Sequence, residues 1–167
     1  YHNQRSEVFV YGVIMSEKNF WNNVRNKLPL KMYRVENSCG KGMPDVHFIQ
    51  DGKSGWIELK FLEKWPRDKI NSGLTLNQSM WSKEYRKAGG LSYVLLRIGR
   101  EFTCLIVDSE ALYNRPSRKE FMELISWGHE GDLKKSDWDS LASRITCQHH
   151  RWQKLADRLD CVINHQA

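Results

Sequence analysis

The chain has 167 residues, of which 40% are hydrophobic, and its formal net charge is +6. This composition excludes a disordered polypeptide and suits one domain with a hydrophobic core, with or without a helical appendage. The apolar runs are far shorter than the roughly 18 residues that a membrane-spanning helix needs, so we expect no membrane segment. The positive charge favours a polyanionic partner.

The first half of the chain predicts two helices. Ser16 is a good N-cap, apolar residues follow it at helical spacing, and Pro29 ends the helix. Thr75 begins a capping box and a second helix that runs to about Ala88, where two glycines stop it. The segment before this second helix, residues 62–74, reads as an exposed basic loop.

Alternating and apolar runs predict five strands. They span residues 31–35, 45–50, 56–61, 92–98 and 101–107. The second and third form a hairpin around a turn at residues 51–55, which contains an Asp-Gly pair. The order helix, three strands, helix, strand predicts an α/β fold with a mixed central sheet flanked by helices.

The remainder of the chain reads as helical. Helices are predicted at residues 119–127, after a cap at Ser136, and at residues 149–163. We therefore expect a core over residues 1–108 and a helical C-terminal extension over residues 109–167, packed on the core. Residues 1–14 fit either an extension or an edge strand.

Cysteine spacing gives no zinc pattern and no C-x-x-C pair, so free thiols in a reducing cytoplasm are expected. The four cysteines are Cys39, Cys104, Cys147 and Cys161.

The predicted hairpin concentrates charged side chains. Because side chains alternate along a strand, Glu58 and Lys60 share one face, and Asp45 at the head of the preceding strand can reach it. Two carboxylates suit an oxygen-preferring cation such as Mg²⁺, and an adjacent lysine can orient or deprotonate a water.

The motif Pro44-Asp45 followed by Glu58-Leu59-Lys60 resembles the PD-(D/E)XK nucleases. Gly40-Lys41-Gly42 and the helix opening at Ser16-Glu17 are similar to the Holliday-junction resolvase branch, and the stretch from Leu74 to Gly90 looks like the VRR-NUC branch. The likeness covers roughly residues 16–98.

The resemblance implies a fold and an activity. The fold would be the restriction-endonuclease-like αβββαβ core, and the activity Mg²⁺- or Mn²⁺-dependent cleavage of DNA, with branched or junction DNA as substrate. Asp45, Glu58 and the Leu59 carbonyl would hold the metal, and Lys60 would assist the attacking water. It also implies a homodimer, because a four-way junction has two strands to cut. Size and family together suggest a bacteriophage protein acting in the cytoplasm of a bacterial host.

Two further residues are candidates for this site. Glu17 lies on the apolar stripe of the first helix, where a free carboxylate is costly, so a role at the metal is favoured over a favourable helix-dipole contact. Glu36 is a competitor near the same loop. Gln78 either closes the capping box or supports the active site, and the sequence leaves both open. His47 shares the face of Asp45 and reads as a hydrogen-bonded core histidine.

Basic residues surround the proposed site in sequence, where DNA phosphates would pass. They are Lys41, Lys53, Lys64, Arg67 and Lys69. Two alternatives remain open. One is a sequence-specific restriction-type endonuclease with its recognition element at residues 62–74 or in the C-terminal region. The other is a non-catalytic DNA-binding protein that keeps the nuclease fold.

Overall fold

The structure is a computed structural model that describes residues 16–35 and 41–146, and it has a mixed α/β architecture. Six strands form one sheet in the order β1-β2-β3-β4-β5-β6, flanked by helices. The elements are α1 (Glu17–Lys27), β1 (Lys31–Arg34), β2 (Val46–Gln50), β3 (Lys53–Leu62), α2 (Leu76–Lys87), β4 (Leu91–Ile98), β5 (Phe102–Ile106), α3 (Ser109–Tyr113), α4 (Arg118–Leu124), β6 (Ile125–Glu130) and α5 (Lys135–Thr146).

The sheet is antiparallel except at one pair of strands. β3 and β4 run parallel, so the chain crosses between them through α2. All other neighbouring strands are antiparallel. The predicted order αβββαβ and the predicted mixed sheet with flanking helices are confirmed.

Each face of the sheet is covered by a different set of helices. Apolar residues of α1 and α5 pack with Ile57 and Leu59 on one side, which we call the α1 face. On the other side, the α2 face, Leu112 of α3 and Phe121 of α4 pack with Val94 and its neighbours. α2 is fixed to this second face through polar contacts, since Ser82 and Ser92 share a hydrogen bond of 2.8 Å.

The hairpin between β2 and β3 is tighter than predicted. Its loop is only Asp51 and Gly52, and both have positive φ, of 50° and 73°, as a type I′ turn requires. Gly55, expected in the turn, lies within β3. A Cβ there would come within 2.8 Å of the Phe48 ring and closer still to Leu91, so the strand accepts only glycine at this point.

The caps predicted for the first two helices are observed. The Ser16 side chain accepts a hydrogen bond from the Asn19 backbone, and α1 ends before Pro29. Thr75 and Gln78 form a reciprocal capping box at α2. These caps satisfy backbone N–H groups that the first helical turn leaves without partners.

The C-terminal prediction was wrong at one element. The helix expected to reach residue 127 ends at Leu124, and Ile125–Glu130 forms β6 at the edge of the sheet. A Cβ added at Gly128 would lie 3.0 Å from the Phe102 ring, which shows how closely β6 packs on β5. α5 begins at Lys135, one residue before the expected cap at Ser136.

The predictions for residues 1–14 and for a helix at residues 149–163 lie outside the described residues, as do three of the four cysteines. Cys104 is free and buried. Among the described residues, no helix combines the length and apolar character that crossing a membrane requires.

Candidate active site

Glu58 is a buried carboxylate in the middle of β3. Only 2% of the residue is exposed. Its Oε1 accepts a hydrogen bond from Lys60 Nζ at 2.9 Å and another from Gln78 Nε2 at 2.6 Å. The second oxygen, Oε2, is also buried but has no hydrogen-bond partner among the described residues. An unpaired buried carboxylate oxygen is costly, so this atom is suited to bind a cation or a hydrogen-bond donor.

Asp45 lies at the head of β2, beside Glu58. The register pairs Val46 with Ile57, and continuing it by one residue sets Asp45 opposite Glu58. The electrostatic interaction of Asp45 with Glu58 is large enough to raise the pKa of Glu58. The predicted grouping of Asp45, Glu58 and Lys60 on one face of the hairpin is therefore present.

Gln78 performs both tasks that the sequence left open. Its Oε1 accepts a hydrogen bond from the Thr75 backbone N–H at 3.0 Å, which closes the capping box. Its Nε2 donates to Glu58 Oε1 at 2.6 Å. Because one planar amide makes both contacts, the first turn of α2 fixes the position of the Glu58 carboxylate.

The loop before β2 packs directly on α2, a contact that the sequence analysis did not anticipate. Gly42 has a φ of +90°, and a Cβ on it would lie 2.2 Å from the Asn77 carbonyl oxygen and 2.9 Å from the Gln78 nitrogen. Only glycine allows this approach. The chain that leads to Asp45 therefore passes directly against the start of α2, and Pro44, just before Asp45, is buried.

Burial dominates the electrostatics of the site. The pKa of Glu58 is raised from 4.5 to about 7. Desolvation is the largest cause, the nearby charges of Asp45 and Glu17 add to the rise, and Lys60 opposes it. Burial thus favours the uncharged, protonated form of this carboxyl up to a higher pH than is usual for a glutamate. A positive ion or a proton at this point would relieve the cost of burying the charge.

The remaining candidates near the site differ in position. Glu17 is exposed, not directed inward as its spacing suggested, although its charge acts on Glu58. His47 is partly buried and contacts the ring of Trp56 at a centroid distance of 4.9 Å. The Leu59 side chain is buried on the α1 face, away from the carboxylates. Glu36 lies outside the described residues.

One of the five basic candidates is far from the site. Lys53 begins β3 at the hairpin end, about five residues or roughly 17 Å from Glu58. Its side chain donates a hydrogen bond to the Thr146 carbonyl of α5. Its assignment to the site was wrong, because an odd number of residues along β3 places it on the α1 face.

The other four basic residues are exposed. Lys41 begins the loop that packs on α2, and Lys64, Arg67 and Lys69 follow β3 beyond Lys60. Lys69 pairs through its backbone with Ser117, which ties this segment to the region before α4.

The donor set fits Mg²⁺ or Mn²⁺ on two grounds. Asp45 and Glu58 would supply carboxylate oxygens, and Glu58 Oε2 lacks any other partner among the described residues. Within residues 16–35 and 41–146, no three side chains of His, Cys, Asp or Glu form a metal site from protein ligands alone. Mg²⁺ commonly takes one or two carboxylates and keeps several waters, so two carboxylates satisfy it.

Comparison with solved structures finds chains that are similar to this one. No family model and no curated protein matches the chain. The chain is similar to Hjc, a Holliday junction resolvase from Archaeoglobus fulgidus, with 18% sequence identity and a TM-score of 0.37. The match covers 53% of this chain and 66% of that chain, a little less than two thirds of the length of Hjc.

Proposed function

We propose that this chain is a metal-dependent endodeoxyribonuclease that hydrolyses DNA phosphodiesters, with branched or junction DNA as its substrate. The observation that carries the proposal is Glu58, a buried carboxylate with one oxygen fixed by Lys60 and Gln78 and the other without a partner among the described residues. A carboxylate kept in this state is costly for stability, and strongly perturbed groups of this kind cluster at functional sites.

Asp45 and Glu58 Oε2 would hold Mg²⁺ or Mn²⁺ in this proposal. A bound divalent ion supplies charge stabilisation at the scissile phosphate and lowers the pKa of a bound water. Gln78 and Lys60 would keep the Glu58 carboxylate in one orientation, which matters because misplaced groups lose catalytic effect steeply. The Leu59 carbonyl is a further candidate ligand.

The backbone pattern of β2 supports that last assignment. The Asp45 carbonyl accepts a hydrogen bond from the Val35 N–H and therefore points toward β1. Neighbouring residues alternate in direction, so Val46 and its partner Ile57 face each other. Continuing this alternation along β3 directs the Leu59 carbonyl to the side where β2 has ended.

Lys60 would position or deprotonate the attacking water. Its ammonium is 2.9 Å from Glu58 Oε1, and its side chain is only 15% exposed. Lys60 therefore lies beside the carboxylates with little access to solvent. The exposed basic residues Lys41, Lys64, Arg67 and Lys69 would contact DNA phosphates. A homodimer would bring two such sites to the two strands of a junction.

The test is a cleavage panel of single-stranded, duplex, flap and four-way-junction DNA, with Mg²⁺ and with excess EDTA. We expect cleavage only with the metal and fastest on branched substrates. Asp45→Asn should abolish it. Asp51→Asn is the matched control, because it makes the same change at the other end of the same hairpin, where asparagine tolerates the positive φ. Metal-independent cleavage, or equal loss in both variants, would refute the proposal. DNA binding without cleavage on every substrate would instead support the non-catalytic alternative.

A further inference from the structure

A row of aromatic side chains crosses the α2 face next to the carboxylates. The strand registers pair Tyr33 with His47, and His47 with Trp56, so the three side chains lie on the same face of the sheet. The rings of His47 and Trp56 are in contact at 4.9 Å between centroids. We call Tyr33, His47 and Trp56 the aromatic row.

The inner end of the aromatic row is held by α2. Trp56 meets Trp81 edge-on at 5.8 Å, and Trp81 is stacked on Tyr85 at 4.9 Å with an angle of 12° between the rings. These contacts fix Trp56. The outer end is open, since 50% of Tyr33 is exposed. In the aromatic row, Trp56 is therefore held in place by α2, and the Tyr33 ring at the outer end is accessible.

The aromatic row is one side-chain step from the proposed metal ligands. Asp45 and His47 are two residues apart on β2, and Trp56 and Glu58 are two residues apart on β3, which corresponds to about 7 Å. A stacked DNA strand advances about 3.4 Å per nucleotide. A phosphate at the carboxylates thus places the next one or two nucleotides over the row.

The charge around the aromatic row favours a nucleic acid over a protein segment. Lys31 lies on the same face, with its ammonium 6.0 Å from the centroid of the Tyr33 ring. In the part of the chain that the structure describes, Lys31 forms no ion pair with a carboxylate. An exposed ring beside an unneutralised ammonium offers one surface for a base and one for its phosphate, the combination used in single-strand binding.

We propose that the aromatic row is a stacking platform for unpaired nucleotides adjacent to the scissile phosphate. This inference rests on the proposed nuclease function and narrows its substrate to DNA with a single-stranded segment at the cleavage point. A continuous duplex keeps its bases stacked on each other, so it offers no free base face to Tyr33. Recognition would be insensitive to base identity, because every base has a π-face.

The experiment measures binding of a fluorescent oligothymidine and of a duplex of the same length by anisotropy, in EDTA so that no cleavage occurs. Tyr33→Ala should weaken single-strand binding between about 5-fold and 150-fold, the range for losing one base–aromatic stack. Tyr33→Phe keeps the ring and should stay within about 2-fold of the wild type. Duplex binding should be unchanged in both variants.

Ile49→Ala is the control for loss of exposed apolar surface. Ile49 is 42% exposed and lies on the same face, two residues from His47, but has no ring. It should bind the oligothymidine as the wild type does. A second readout uses 2-aminopurine two nucleotides from the cleavage point of a flap substrate, because stacking on Tyr33 should quench its fluorescence in the wild type and not in Tyr33→Ala.

Each alternative gives a distinct result that would overturn the inference. Equal loss on duplex and single strand would mean a general defect. Unchanged oligothymidine affinity in Tyr33→Ala would exclude stacking. If that affinity is unchanged and Tyr33→Ala shifts the protein from dimer to monomer in sedimentation, the aromatic row is a contact between two copies of the chain. If that affinity is unchanged and the variant has a lower free energy of unfolding, the aromatic row packs against another segment of the same chain. Absence of single-strand binding by the wild type would also overturn it.

Failure of the nuclease proposal and failure of the stacking-platform proposal give different results. Wild-type protein that binds oligothymidine through Tyr33 but cleaves nothing with Mg²⁺ would retain the stacking platform and lose the nuclease assignment. Protein that cleaves flap DNA but binds oligothymidine equally well without the Tyr33 ring would retain the nuclease assignment and lose the platform.

Discussion

Replacing Glu58 with glutamine should change the way that stability depends on pH. Burial raises the pKa of this carboxyl to about 7 in the folded protein, while in the unfolded chain it stays at its ordinary value of 4.5. Between these two values the folded state holds a proton that the unfolded chain has lost. Stability conferred by this group is therefore fully present below about pH 4.5 and is lost as the pH rises to about 7.

The magnitude follows from the separation of the two pKa values. The difference corresponds to about 3 kcal/mol at 1.36 kcal/mol per pH unit. Glu58→Gln cannot ionise, so relative to the wild type it should gain about 3 kcal/mol between pH 4 and pH 8.5. Comparing the two pH values cancels any constant effect of the amide on packing or on Lys60.

The assay is urea unfolding of both proteins across this pH range in EDTA. A free-energy difference between them that stays constant with pH, within about 0.5 kcal/mol, would refute the reasoning, because the carboxylate would then not be desolvated. Mg²⁺ should restore stability to the wild type at pH 8.5 and leave Glu58→Gln nearly unchanged, since an ion that binds only the folded state stabilises it by mass action.

Glu120→Gln is a control with the opposite sign. Hydrogen bonds from Ser117 in the α4 capping box lower the pKa of Glu120, which is fully exposed. Its contribution to stability is present above its ordinary pKa and is lost as the pH falls. The variant should therefore lose stability, relative to the wild type, mainly at high pH.

Three further outcomes are expected. Lys60→Ala should reduce cleavage at least about 10²-fold, the scale of lost general acid–base assistance, while calorimetric Mg²⁺ binding survives because no ligand is removed. Replacing Arg67 and Lys69 together by alanine should lower the slope of log affinity against log salt by roughly 0.9 for each DNA phosphate that these side chains neutralise. Gly42→Ala should destabilise the protein by more than about 1 kcal/mol in urea unfolding, because the new Cβ meets the first turn of α2.

Matched variants separate these effects from general damage. Lys53→Ala should leave the salt slope unchanged, since Lys53 contacts α5 at the far end of β3. Gly89→Ala has nearly the same φ as Gly42, +91° against +90°, but an open space at its Cβ. A destabilisation as large as that of Gly42→Ala would show that φ, not the contact with α2, sets the cost. Wild-type cleavage by Lys60→Ala would show that the active site is misplaced.

The sequence by itself determined the elements whose signals are local. Strand alternation put Glu58 and Lys60 on one face because consecutive side chains of a strand point to opposite sides. The capping residues at Ser16 and Thr75 marked where α1 and α2 begin, since each cap is a contact between neighbours in the chain. The order of six elements, and with it the mixed sheet, followed from these local patterns.

Only the tertiary structure decided contacts between distant segments. Whether Gln78 reaches Glu58, and whether Glu58 Oε2 is left without a partner among the described residues, depends on how α2 packs against β3. Lys53 is close to Glu58 in sequence but far from it in the structure, because the two residues lie five positions apart along an extended strand and on opposite faces of the sheet.

β6 shows the same limit for secondary structure. A short apolar run fits either a helix or a strand, and at Ile125–Glu130 the open edge of β5 supplied the backbone partners that settled it. Tyr33 shows the same limit of sequence-based prediction for a surface site. Its position beside His47 and Trp56 arises from the register of three strands, which no local pattern specifies.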